Sequence, residues 1–156
     1  ALIVQGLVSY QASGMRQNIY EQDGYQIYAD CYNASPDAME ATLSVLGGMA
    51  GDGRRFAVLG SMLELGDYAE EGHRRAGRAA AQYADALYAY GPDAAAMVAG
   101  AREKGMEHAY AFDDQTALVA ALREDAKKGD ALLFKGSRGM RMERALAMFL
   151  GEEVEA

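Results

Sequence analysis

One cysteine and two histidines are all that this 156-residue chain holds of the residues that build disulfides and most zinc sites. Cys31 has no partner for an intrachain disulfide, and it lies far in sequence from His73 and His108, unlike a zinc-ligand spacing. No hydrophobic run reaches the roughly 20 residues needed to span a membrane, and the start lacks the basic-then-apolar order of a signal peptide. Basic residues are also scarce. Fifteen Lys and Arg against 23 Asp and Glu leave a net charge of −8, with a pI near 4.7. A general nucleic-acid surface needs a basic face to neutralise phosphates, so neither nucleic acid nor membrane is expected as a partner. One small basic pocket remains compatible with that balance. A cytoplasmic location fits these absences, and a start at Ala1 rather than Met is expected of a fragment or a processed product.

Three catalytic motifs are missing as well. No Gly-x-x-x-x-Gly-Lys-Ser/Thr phosphate loop occurs, no Gly-x-Gly-x-x-Gly follows a first strand, and there is no serine elbow. A self-sufficient nucleotidase, dehydrogenase or hydrolase is therefore not expected. What remains is an ordinary globular composition, 51% hydrophobic and 24% charged, in a chain long enough for one domain with a real core.

The pattern along the chain predicts an α/β fold. Residues 1 to about 12 read as a short helix, and Ser13-Gly14 marks a boundary. Arg16–Gln22 and Tyr25–Asp30 flank Asp23-Gly24, a hairpin signal, because both turn positions need positive φ. Ser35-Pro36-Asp37 then opens a helix: Ser35 as cap, Pro36 at the first helical position, Asp37 at the positive end of the helix. Its inner stripe is Met39, Leu43 and Leu46. Beyond it, short apolar strands (Phe56–Gly60, Leu87–Gly91, Ala109–Phe112, Ala131–Phe134) alternate with helices. Asp67 and Glu70 are spaced like a capping box for the helix that carries Ala76, Ala80 and Tyr83. His73 on that helix is expected to be exposed or capping. Asp113 or Asp114 caps the helix of Leu118 and Leu122, and the last helix shows Met142, Leu146 and Phe149. One hairpin followed by four β–α units calls for a mostly parallel sheet with helices on both faces.

Three loops after strands should gather at one edge of that sheet, where open α/β folds bind ligands. They are Tyr28–Asp37, Gly60–Gly66 and Lys135–Arg144. The first reads either as a capped strand-to-helix turn or as the wall of a site. The third clusters Lys135, Arg138, Arg141 and Arg144 around two glycines, an arrangement suited to a carboxylate or phosphate; the alternative is a solvated basic helix start.

The segments Gly-Met-Arg-Gln-Asn-Ile (14–19), Asp-Cys-Tyr-Asn-Ala-Ser-Pro-Asp (30–37), Val-Leu-Gly-Ser-Met-Leu-Glu-Leu-Gly (58–66) and Lys-Gly-Ser-Arg-Gly-Met-Arg-Met-Glu (135–143) resemble, in order, the C-terminal domain of the Mur ligase family. Within it they resemble the type that joins D-alanyl-D-alanine to UDP-N-acetylmuramoyl-tripeptide. Position 61 departs from the family, which more often has an acidic residue there. The resemblance implies a Rossmann-like lid (residues 13–156) with residues 1–12 as the tail of a preceding ATPase domain. It implies ATP as cosubstrate, Mg2+ held mainly by the missing central domain, and the central and N-terminal domains of the same ligase as partners. It also implies roles by position: Arg16 at the ATP phosphates, Asp30 at the ribose hydroxyls, Tyr32 and Asn33 against the nucleotide, and Lys135, Ser137 and Arg138 near the incoming amino-acid substrate. The alternative from another class is a free-standing, flavodoxin-like module that binds a small anion.

Overall fold

A computed structural model describes residues 18–32, 34–49 and 51–152. The expected N-terminal helix, Arg16 and Asn33 lie outside the described residues. Six strands form one sheet in the order β1-β2-β6-β3-β4-β5. The elements are β1 (Asn18–Gln22), β2 (Tyr25–Asp30), α1 (Pro36–Gly47), β3 (Arg55–Gly60), α2 (Ala69–Tyr83), β4 (Ala86–Tyr90), α3 (Ala94–Glu103), β5 (Ala109–Phe112), α4 (Gln115–Asp125), β6 (Ala131–Lys135) and α5 (Met142–Phe149).

The hairpin forms as its turn residues require. Asp23 and Gly24 both take positive φ, 56° and 89°, and β1 pairs antiparallel with β2 from Gln22↔Tyr25 to Asn18↔Ala29. Every other pairing is parallel. Because side chains alternate along a strand, the central strands feed two cores. Ala57, Leu59 and Leu133 face α1, α2 and α3, while Phe56, Val58, Leu132 and Phe134 face α4 and α5. The predicted helix stripes are buried: Met39, Leu43 and Leu46 in α1, Leu118 and Leu122 in α4, Met142, Leu146 and Phe149 in α5. Ser35 Oγ accepts from the Ala38 N–H, 3.1 Å away, and Asp114 caps α4 in the same way through Ala117 N.

Between α2 and α3 the backbones approach closely. A Cβ at Gly77 would lie 1.9 Å from the Met97 carbonyl oxygen, and one at Gly100 would lie 2.1 Å from that of Arg74. Glycine weakens a helix interior by about 0.5–1 kcal/mol, and here it permits a contact that no side chain would. Arginines along α2 then tie the layer together. Arg74 reaches Glu70 at 2.7 Å and Glu103 at 2.6 Å, Arg75 reaches Glu40 at 2.6 Å and Asp37, and Arg78 reaches Glu71 and Glu103.

Two expectations fail in this layer. The Asp67/Glu70 capping box does not form, because Gly66–Tyr68 makes a 3-10 turn and α2 starts at Ala69, which leaves Asp67 outside the cap position. Glu70 pairs with Arg74 instead. His73 is neither exposed nor a cap: it is fully buried. It falls three residues before Ala76, on the inner stripe of α2, so the helical period itself carries it into the core.

Candidate functional site

The order of the sheet decides where the site lies. The loops after β2 and β3 lead to helices on one face, and the loop after β6, the strand between them, leads to α5 on the other. Connections that part in opposite directions leave a crevice at the carboxyl ends of the strands. Asp30, Lys135 and Leu59 stand in register across that edge. The three loops anticipated as neighbours do meet there.

Their junction is a cleft of about 250 Å³, formed by Tyr32 and Ala34 of the first loop, Leu63 and Glu64 of the second, and Ser137 to Gly139 of the third. The Arg138 guanidinium lies 5.4 Å from the centroid of the exposed Tyr32 ring, a cation–π arrangement. Glu64 stands on the opposite loop with φ 69°, outside the region most L residues occupy. Among the described residues, neither Glu64 nor Arg138 has a charged partner. The cleft therefore offers one cation, one anion and an aromatic wall.

Beneath it, Lys135 Nζ lies 2.5 Å from Asp30 Oδ2. The two side chains are 1% and 6% exposed, so this is a buried ion pair. The two residues are thus brought together with each other rather than with the cleft surface. Cys31 beside them is buried, and burial, reinforced by the carboxylates of Glu143 and Asp30, pushes its thiol up to about 12. It stays protonated and is no nucleophile.

Hydrogen bonds fix the second loop from several sides. Ser61 Oγ donates to the Tyr90 carbonyl at 3.2 Å and accepts from the Asp93 N–H at 3.1 Å. The Ser137 N–H donates to the Ser61 carbonyl at 3.3 Å, and Ser137 Oγ accepts from the Leu63 N–H at 2.8 Å. The Met62 N–H donates to His73 Nε2 at 2.8 Å. At position 61, the neutral Ser61 hydroxyl joins β3 to the β4–α3 turn. Ser137 and Arg138 thus reach the cleft, Tyr32 lines it, and Asp30 and Lys135 lie below. The Gly60–Gly66 loop was expected at this edge, but neither Leu63 nor Glu64 stands out within it by residue type.

Among the described residues, no three His, Cys, Asp or Glu side chains gather as metal ligands. No described helix is long and apolar enough to cross a membrane.

The family model for Mur ligase, glutamate ligase domain, matches residues 15–138. The chain belongs to the Mur ligase family. The UDP-N-acetylmuramoyl-tripeptide–D-alanyl-D-alanine ligase of Bacillus subtilis is 36% identical to this Mur ligase domain over 142 residues, which cover 89% of the chain and 31% of the relative. The Synechocystis protein of the same name is 39% identical over 126 residues, 79% of the chain and 27% of the relative. Among solved structures, the MurF ligase of Thermotoga maritima in complex with ADP superposes with a TM-score of 0.76 at 32% identity, over 97% of the chain and 36% of that protein. MurF from Acinetobacter baumannii superposes with a TM-score of 0.79 at 30% identity, over 88% of the chain and 30% of that protein. The Mur ligase domain thus spans about a third of the length of these relatives.

Proposed function

We propose that this chain is the lid of an ATP-dependent amide ligase that joins D-alanyl-D-alanine to UDP-N-acetylmuramoyl-tripeptide. The observation that carries the reading is the meeting of three loops at one cleft, Tyr32, Glu64 and Arg138 among them, in a Mur ligase domain whose named relatives are ligases of this type. In this reading residues 1–12 are the tail of an ATPase domain and residues 13–156 are the lid. The tripeptide carboxylate attacks the γ-phosphorus of ATP and ADP departs. The dipeptide amine then attacks the acyl carbon, phosphate leaves, and the nitrogen loses a proton.

The lid contributes charge and position to that sequence. Arg16 is the residue for the transferring phosphate, where its cation stabilises the charge that develops. Tyr32 and Asn33 lie against the nucleotide. Asp30, whose carboxylate pairs with Lys135 beneath the cleft, is the residue for the ribose hydroxyls. Arg138 and Ser137 take the carboxylate of the incoming dipeptide, with Lys135 setting the loop from below through its pair with Asp30. Lid closure brings these groups to the reaction and excludes water. The free-standing anion-binding module finds no separate support, since the exposed Arg138 serves the ligase reading equally.

The test is ligation by the full-length protein compared with the 156-residue chain. Dipeptide ligation with ADP release by the former and none by the latter is expected. Turnover by the 156-residue chain alone contradicts the proposal.

A further inference from the structure

We infer that His73 is a positioning residue for the cleft, acting through the Met62 amide on the loop that carries Leu63 and Glu64. The imidazole is fully buried, and both of its nitrogens are engaged. Nδ1 lies 2.7 Å from the Ala69 carbonyl one turn back along α2, and a carbonyl only accepts, so Nδ1 carries the proton. Nε2 is then left with its lone pair, and it accepts from the Met62 N–H at 2.8 Å. The carboxylate of Asp93, 3.7 Å from Nε2, stands beyond hydrogen-bond reach. The tautomer is thus set by the helix and spent on the loop.

The consequence falls on the next two residues. Leu63 donates its N–H to Ser137 Oγ, and Glu64 takes φ 69°. Two successive amides, those of Met62 and Leu63, are held from opposite sides, by α2 and by the loop after β6. A conformation that L residues rarely adopt persists where its surroundings over-determine it. His73 supplies one of the two fixed points. Without an acceptor at Nε2 the buried Met62 N–H loses its partner, and the strained turn at Glu64 relaxes away from Arg138 and Tyr32. His73 touches no cleft ligand itself, so its effect on binding is indirect.

Two amide substitutions, each placing a polar atom near one ring nitrogen, separate this role from core filling. In His73→Gln the amide oxygen replaces Nε2 as acceptor, whereas in His73→Asn the shorter amide reaches only toward Ala69. In the 156-residue chain, amide hydrogen exchange at Met62 and Leu63 is expected to be about tenfold faster in His73→Asn than in His73→Gln. Val58 and Leu133 in the central strands should exchange alike in both. In the full-length ligase, His73→Asn should raise KM for the dipeptide about tenfold, with KM for the tripeptide unchanged and His73→Gln close to wild type. The ligase arm rests on the proposed function; the exchange arm does not, so the two can fail separately. Equal exchange at Met62 in the two variants overturns the inference, as does faster exchange throughout the sheet. If His73→Asn does not fold, slow Met62 exchange in His73→Gln supports the inference, and fast exchange there overturns it.

Discussion

Replacing Lys135 by Met leaves the carboxylate of Asp30 buried without its counter-ion, and the cost should be large. The two side chains are 1% and 6% exposed, and Nζ and Oδ2 stand 2.5 Å apart at the ends of adjacent parallel strands. Removing one partner of a buried ion pair typically costs about 3–5 kcal/mol, because the remaining charge stays desolvated. At this chain length each kcal/mol moves Tm by about 2–4 °C, so Lys135→Met should lower Tm by roughly 10 °C. Met keeps most of the apolar stem, which isolates the charge from the packing. The chain has no tryptophan, so circular dichroism during urea and thermal unfolding is the assay. The double variant Asp30→Asn/Lys135→Met removes both charges and should recover most of the loss, to within about 2 kcal/mol of wild type. A loss below about 1 kcal/mol in the single variant would refute the desolvation argument, since values of that size belong to hydrated surface pairs. A double variant no more stable than the single one would place the energy in packing instead.

Three further outcomes follow from the packing and the caps. Gly77→Ala should destabilise the domain by about 3 kcal/mol or more in urea unfolding, since the added Cβ would stand 1.9 Å from the Met97 carbonyl oxygen and overpacking is costly. Ser35→Ala should cost about 1 kcal/mol in the same assay, the usual price of a lost N-cap. Cys31 should resist iodoacetamide at pH 8 in the folded chain and react readily in urea. Its thiol is raised on folding from 9.0 to about 12, so this contribution to stability is fully present below pH 9 and is lost as the pH rises toward 12, which urea unfolding at pH 8 and pH 10 will read.

The parts of the fold that were legible in the sequence are those governed by local chemistry. Asp23-Gly24 needed positive φ and so marked the hairpin, Ser35-Pro36 marked the start of α1, and short apolar runs marked strands buried on both faces. The strand order was not legible, because nothing local says that β6 inserts between β2 and β3; that placement is set by the two cores together. The site divides along the same line. Arg138 stood out in a basic loop after a strand, Tyr32 and Ser137 were marked by the family resemblance, and all three reach the cleft. The pairing of Asp30 with Lys135 depends on the register of strands about a hundred residues apart in sequence. Glu64 lay in a loop expected at the site but did not stand out there, because its neighbours are apolar and its backbone conformation leaves no mark in composition. His73 was misplaced although its spacing from Ala76 and Ala80 puts it on the buried stripe; a polar residue type was weighed above its position. The Asp67/Glu70 spacing misled for a related reason, since Gly66 turns the chain into a 3-10 turn ahead of the helix.

The most direct measurement is steady-state ligation by the full-length protein with and without Arg16→Ala. The wild type is expected to join D-alanyl-D-alanine to UDP-N-acetylmuramoyl-tripeptide in an ATP-dependent reaction, with a fall in turnover on the order of 10²-fold or more when the arginine is removed. Turnover that is unchanged by Arg16→Ala would contradict this expectation.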